Sequence, residues 1–294
     1  MNCIQSILKS IFLPIVVEKA ISNKETKKVS EEDRALFHNI PSAEPHLIKT
    51  VDGQNLEAIF VPSQHAKAGQ AVFICSGGLE SHELHSYPIA KAYYDLGFNV
   101  VVFNYRGFGN STGSPTEEGL IQDAEAIYRF LREDKGFSPH EILGHGYSLG
   151  GGIVAEIARS QGIDVVLDRT FATFPDVVHH YMCKKKINKL YRIVGKFLAR
   201  SCFPLNTLKR LENCRSRVFI FRGRKDISMS GHDVHRLKKM IEAHPKPELF
   251  TFVEADVGHF HDEGPVWMDP EAHMTEARDH WITFLKERIG STTS

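Results

Sequence analysis

Apolar and polar positions along this chain follow two alternating periods. Short runs that are apolar throughout, or at every second residue, occur at 46–51, 55–61, 71–75, 99–104, 141–145, 164–168, 217–222 and 248–254, and predict strands. Between them, apolar residues recur at three- and four-residue spacing at 86–97, 117–133, 149–161, 231–243 and 271–289, and predict helices. Strand and helix alternate over residues 46–290, which predicts one α/β domain: an eight-stranded, mostly parallel sheet with helices on both faces. The first two strands flank Asp52-Gly53 and form an antiparallel hairpin. In such a sheet a functional site forms at the carboxyl edge of the strands.

Two segments stand outside this alternation. Residues 1–45 read as an amphipathic amino-terminal segment and a charged linker, with an apolar stripe of Ile4, Ile7, Leu8, Ile11, Phe12, Ile15 and Val16. The stripe is broken by Lys9 and Pro14 and is too short for a membrane span; it suits either packing on the domain or an interfacial anchor. No basic segment followed by a small-residue cleavage site marks a signal peptide, and Cys3 is a weak candidate for acylation. Residues 172–216 interrupt the strand and helix pattern as an insertion, expected to be a helical cap. Ile187, Leu190, Tyr191, Val194, Phe197 and Leu198 recur there at helical spacing, so the expectation is a helix whose apolar face roofs the site. From Lys184 to Arg217 the chain carries eleven Lys or Arg and a single acid, Glu212. Those cations are either a solvated face or a surface for anionic lipid headgroups or an acidic partner.

Composition adds limits. The chain has 294 residues, is 42 % hydrophobic and has a formal net charge of zero, enough for one large domain without a second core. Five cysteines, at 3, 75, 183, 202 and 214, form no C-x-x-C pair, so neither a disulfide framework nor a zinc ribbon is indicated and a reducing, cytoplasmic compartment is expected. His82-Glu83-Leu84-His85 is one residue short of the His-Glu-x-x-His signature and reads as a polar loop near the site entrance. No metal and no cofactor are expected. The basic bias is local and has no reader motif beside it, which argues against nucleic acid as a partner.

The chemistry centres on Gly146-Tyr147-Ser148-Leu149-Gly150. Gly-x-Ser-x-Gly between a strand pattern and a helix pattern is the spelling of a nucleophile elbow, in which glycines two residues either side of the serine let strand and helix approach closely. No Gly-Lys-Ser/Thr or Gly-x-Gly-x-x-Gly follows a strand, which removes the usual phosphate cradles. Serine is a poor nucleophile unaided, so a base and an orienting acid are expected in the order Ser, Asp or Glu, His. Asp226, in the loop after the 217–222 run, is the expected acid; Asp168, at the end of Val165-Val166-Leu167, is its rival, with a salt bridge to Arg169 as its other role. His259, after the last strand pattern, is the expected base, with His261 as competitor and Asp262 beside it as a turn or capping residue. Two backbone N–H groups are needed for the oxyanion: that of Leu149, and that of Gly78 or Leu79 in the loop after the 71–75 strand.

Together these segments resemble the alpha/beta-hydrolase superfamily, and within it the ABHD-type serine hydrolases, including a branch found in intracellular bacterial pathogens. The likeness extends to Asn104-Tyr105-Arg106-Gly107-Phe108-Gly109-Asn110-Ser111, to Pro115-Thr116-Glu117-Glu118-Gly119-Leu120, and to Leu167-Asp168-Arg169-Thr170-Phe171. Three departures stand out: Cys75-Ser76-Gly77 where His-Gly is usual, Tyr147 for a frequent histidine, and Asn104 for an aspartate. The resemblance implies a serine hydrolase acting on a small-molecule or acylated substrate, an ester or thioester, and lipid-like if the apolar cap lines the site. Peripheral membrane contact through the amino terminus or the basic cap fits the same reading. The competing class is a noncatalytic binding or scaffold protein with the same fold. Aspartate in place of Ser148 would have pointed to haloalkane or epoxide chemistry.

Overall fold

A computed structural model of the chain describes residues 42–64, 69–77, 82–259, 268 and 275–290. In chain order the elements are strands β1 (Glu44–Lys49), β2 (Asn55–Val61) and β3 (Ala71–Cys75), helix α1 (His82–Asp95), β4 (Asn99–Phe103), α2 (Glu117–Arg129), β5 (Ile142–Tyr147), α3 (Leu149–Gln161) and β6 (Asp164–Asp168). Three helices then form the insertion, α4 (Phe174–Lys184), α5 (Lys189–Cys202) and α6 (Thr207–Leu211), before β7 (Val218–Gly223), α7 (Gly231–Ala243), β8 (Phe250–Ala255) and α8 (Thr275–Gly290). The strands make one sheet in the order β1-β2-β4-β3-β5-β6-β7-β8. β1 and β2 pair antiparallel, as do β2 and β4, and the remaining pairs are parallel. The expected α/β fold, with its eight strands and opening hairpin, is the fold observed.

The inner strands are apolar on both sides because both faces are covered. In β3, Ala71, Phe73 and Cys75 point into one core while Val72 and Ile74 point into the other. The same alternation sends Val165 and Leu167 of β6 one way and Val166 the other, and divides β7 between Val218 and Ile220 on one side and Phe219 and Phe221 on the other. Helices α2 and α3 close the first core together with the insertion, while α1 and α8, through Tyr93 and Trp281, close the second. β1, at the sheet edge, exposes alternate residues.

Chain direction across the sheet reverses between β3 and β5. β3 leads through α1 to β4 on one side, and β4 returns through α2 to β5 on the other, with Cys75 registered opposite Gly146. The chain therefore leaves β3 toward α1 on one face and β5 toward α3 on the other, a topological switch point of the kind where open α/β sheets form their binding crevice.

The Asn104 to Ser111 segment has a structural task. Arg106 donates from Nε to Asp123 of α2 at 2.8 Å and from Nη1 to Asp52 of the hairpin turn at 2.8 Å, tying β1 and β2 to the helix layer. Asn104 donates from Nδ2 to Glu57 Oε2 at 2.9 Å. An aspartate at 104 would set two carboxylates in contact, which accounts for asparagine there.

The tightest approach in the fold is between α3 and the sheet. A Cβ on Gly146 would collide with the Gly150 carbonyl, and one on Gly150 would collide with the Cys75 carbonyl, both rigid backbone. Gly146→Ala is accordingly expected to cost roughly 1–3 kcal/mol through overpacking. The measurement is urea unfolding, with a lower midpoint at unchanged slope.

Candidate functional site

Ser148 sits at the switch point, between the end of β5 and the first turn of α3. Its backbone has φ 50° and ψ −109°, a conformation that non-glycine residues rarely adopt. Surrounding bonds hold it there: its N–H donates to the Asp168 carbonyl at 2.8 Å, and its own carbonyl accepts from Thr170 Oγ1 at 2.8 Å and from the Gly151 N–H at 3.2 Å. The strain is over-determined by neighbours, as strained functional positions are. The hydroxyl is thereby aimed away from the helix at the carboxyl edge, and Ser148 is 8 % exposed.

Sequence positions separated by more than a hundred residues meet at that hydroxyl. His259, four residues beyond β8, places Nε2 3.1 Å from Ser148 Oγ. Its Nδ1 lies 2.8 Å from Asp226 Oδ2, in the loop after β7. The second oxygen of Asp226 accepts from the Ser228 N–H at 2.8 Å and the Met229 N–H at 3.1 Å, so the carboxylate cannot swing. A carboxylate only accepts, so the shared proton is on Nδ1 and the Nε2 lone pair of a neutral imidazole is left to accept from the serine hydroxyl. All three residues are buried. These three are residues that the sequence singled out, and Asp226 rather than Asp168 lies against the His259 ring.

Asp168 has a different place. It is fully buried at the end of β6 and forms a two-pronged ion pair with Arg169, Nε to Oδ1 at 2.8 Å and Nη2 to Oδ2 at 3.1 Å. Burial alone would raise its pKa, but the Arg169 charge and hydrogen bonds, helped by His145 at 3.7 Å, outweigh that and hold the carboxyl well below the usual carboxylate range. The remaining arm of Arg169 donates from Nη1 to the backbone carbonyl of His259 at 3.0 Å, and the Tyr147 hydroxyl donates to the same carbonyl. Arg169 also lies over the Tyr147 ring, 4.8 Å from its centroid. Behind them, Tyr93 joins His145 Nδ1 at 3.0 Å and accepts from Trp281. His259 is thus gripped at its side chain by Asp226 and at its main chain by Arg169 and Tyr147. The sequence reading noted Tyr147 as a departure from a frequent histidine and gave Arg169 no role beyond pairing Asp168. The available signal was an Arg beside an Asp at the buried end of a parallel strand.

Other expected positions divide. The Leu149 N–H is described, and it donates to the Gly77 carbonyl at 3.3 Å. Gly78, Leu79, His261 and Asp262 lie outside the described residues, as does the amino-terminal stripe. The His82-Glu83-Leu84-His85 run is the start of helix α1 rather than the loop expected, because the helix begins there and runs through Pro88. Among the described residues, no three His, Cys, Asp or Glu side chains are grouped to hold a metal ion. Cys75 is no rival nucleophile, since complete burial pushes its thiol up. The described cysteines, 75, 183, 202 and 214, are free.

The insertion overturns one expectation. Only Leu198 of the apolar set on α5 is buried; Leu190, Tyr191, Val194 and Phe197 are exposed, so the helix does not roof the site with its apolar face. Periodicity located the helix but gave the wrong covering: Gly195 and Ala199, the small residues, lie on the inward side and let α5 sit close.

Eight mostly parallel strands, helices on both faces, and a serine on a strained turn after the fifth strand define an alpha/beta-hydrolase fold. The chain belongs to the family described as Chlamydia CHLPS protein (DUF818), whose model matches residues 71–234, a stretch that holds Ser148 and Asp226. Over 94 residues the chain is 40 % identical to a multifunctional-autoprocessing repeats-in-toxin of Vibrio vulnificus, covering 32 % of this chain and 2 % of the toxin. Over 171 residues it is 31 % identical to Protein ABHD12B of Homo sapiens, covering 55 % of this chain and 44 % of that protein. The chain thus spans less than half the length of either relative. An alpha-beta hydrolase from Vibrio vulnificus shares the fold, with a TM-score of 0.70 at 21 % identity over 96 % of this chain and 93 % of that one.

Arg169→Met tests the grip on His259. Leaving Asp168 buried without its partner is expected to cost about 3–5 kcal/mol near neutral pH. The sign changes with the pKa. In the wild type the depressed Asp168 pKa adds stability at all pH values above the unfolded value of about 4, lost only as pH falls below it. In the variant, burial raises the Asp168 pKa, so its contribution is present at low pH and lost as pH rises through the raised value. Urea melts at pH 5 and pH 7.5 should show a smaller penalty at the lower pH; an equal penalty would refute the ion-pair account.

Proposed function

We propose that the protein is a serine hydrolase that cleaves a carboxylic ester or thioester through an acyl-enzyme intermediate. The Ser148–His259–Asp226 relay carries this reading: a hydroxyl, an imidazole in the accepting tautomer and a fixed carboxylate lie in hydrogen-bond sequence. Ser148 Oγ attacks the substrate carbonyl carbon as its proton passes to His259 Nε2, and the carbonyl π electrons move onto oxygen. Asp226 holds the tautomer and stabilises the imidazolium. Collapse of the tetrahedral adduct expels the alcohol or thiol, which takes the proton from Nε2. Water, deprotonated by the same nitrogen, then attacks the acyl-serine; the acyl carbon–Oγ bond breaks, Oγ takes the proton back from Nε2, and the carboxylic acid is released.

The oxyanion is assigned to the Leu149 N–H and, from the loop after β3, to Gly78. The Leu149 N–H is engaged by the Gly77 carbonyl, so substrate must displace that carbonyl before the donor is free. Leu149 heads α3, and the positive end of the helix dipole favours negative charge at that point. A cofactor has no step in this sequence. With the apolar arc of α5 turned outward, lipid-like or acylated substrates are favoured by where that arc could take the enzyme rather than by a roof over the site. The same engaged N–H is the observation that favours the rival reading, a binding protein that keeps the fold with its donor occupied.

A fluorophosphonate probe read by intact mass separates the two. The wild type is expected to gain one adduct that Ser148→Ala loses, while Asp226→Asn, which sets the wrong tautomer, should slow labelling by roughly 10⁴-fold. A folded wild type that takes no adduct would support the binding protein. Given labelling, a series of thioesters and esters of rising acyl length reports the substrate: each buried methylene should add about 0.8 kcal/mol to transition-state binding until the site is full. A flat series beyond butyryl would exclude lipid-like substrates.

A further inference from the structure

Helix α5 exposes the side chains that an inward-packed helix would hide. Leu190, Ile193, Val194 and Phe197 stand at i, i+3, i+4 and i+7, a single arc of the helix, with Leu190 and Phe197 both 66 % exposed. With Tyr191, they are five of the ten large apolar side chains exposed among the described residues, so the patch is concentrated rather than scattered. Contiguous apolar surface of this kind marks an interaction site.

The charges around it sort into two groups. Arg210 bonds Glu117 at 2.7 Å and Glu156 at 2.8 Å, fastening the insertion to α2 and α3, and Lys196 bonds Asp176 at 2.6 Å, fastening α5 to α4 within it. Arg192 turns inward to donate to Cys183 Sγ at 3.0 Å. Lys185, Lys186, Lys189 and Arg200 are exposed and form no ion pair among the described residues, and no acid occurs from residue 177 to 211. The arc is therefore apolar at its centre, cationic at its border and free of negative charge.

We propose that the arc of α5 docks on an anionic lipid surface. A single convex helix with apolar side chains on its outer arc and lysines beside them fits the headgroup plane, where the apolar groups enter the acyl boundary and the long cationic stems reach phosphate. A second copy of the chain fits worse, because it would bring the same cations face to face. The inference does not depend on the chemistry at Ser148: docking needs only the folded insertion, and Ser148→Ala should dock like the wild type.

The test is sedimentation of the full chain with vesicles of phosphatidylcholine alone and of an equimolar mixture with phosphatidylserine. The wild type should sediment with the mixture and far less with phosphatidylcholine, and added salt should weaken it. Lys185→Gln, Lys186→Gln and Lys189→Gln should each reduce partitioning about fivefold. Leu190→Ser/Phe197→Ser should reduce it at least tenfold while leaving the thermal melt unchanged, since both side chains are exposed. In Phe197→Trp, the added fluorescence should shift to the blue only when mixed vesicles are present. Failure to bind the mixture, equal binding to phosphatidylcholine, or wild-type binding by the serine double variant would overturn the proposal. A blue shift of the added fluorescence in Phe197→Trp without vesicles would overturn it too, since the arc would then be covered by the chain itself or by a second copy.

Discussion

The absence of side chains where the first turn of α3 meets the ends of β3 and β5 is the constraint on which the site depends. Gly146 and Gly150 bring helix and sheet backbones into contact, and the serine between them is held at φ 50°. Its strained turn follows from packing rather than from any property of serine. The same contact aligns the carboxyl ends of β3 and β5, so Ser76 and Gly77, directly after β3, lie against the first turn of α3. A Cβ on Gly77 would collide with the Tyr147 ring and lie 2.9 Å from Ser148 Cβ, so this third glycine is needed for the loop to pass at all. Hydroxyl, helix N-terminus and loop are brought together by three positions without side chains.

Buried charge is paired beside the site as it is between Arg106 and Asp123. An ion pair as enclosed as Asp168 and Arg169 is costly to desolvate, and apolar replacements of similar volume are often no less stable. What apolar residues could not do is reach the main chain of His259. Arg169 has donors left after satisfying Asp168, and directs one at that carbonyl. The pair therefore converts the rigidity of β6 into a fixed position for a histidine that no regular element holds, since it lies beyond the end of β8.

Most of the fold could be read from the chain because the inner strands are covered on both faces, which makes them continuous apolar runs, and helices α3 and α7 have clear boundaries at Ser148 and Ser230. Ser148, Asp226 and His259 were legible through the glycine spelling and the order of loops after strands. What pattern could not give was partnership. Asp168 and Asp226 both follow apolar runs, and only the third dimension separates an acid that faces the imidazole from one that faces an arginine. The α5 helix shows the same gap: a periodic apolar stripe gives the helix and its arc, while the small residues opposite decided which side packs inward. Within the expected helical insertion the sequence reading delimited one helix only; α4 and α6, capped at Thr173 and Asn206, pack Phe174, Val178 and Met182 and Leu208 and Leu211 into the core.

The engaged Leu149 N–H bears on how such a site would gain rate. A donor kept on a neutral carbonyl is not unpaired while the site is empty, so the resting site does not carry the cost of a buried orphan. A substrate carbonyl that displaces Gly77 exchanges one neutral acceptor for another, and little is gained in that step. The gain comes as charge develops on the oxygen, because a hydrogen bond to an anion is about twice as strong as one to a neutral group. An arrangement that is neutral toward the ground state and favourable toward the charged state stabilises the transition state selectively, which is the part of binding that accelerates a reaction.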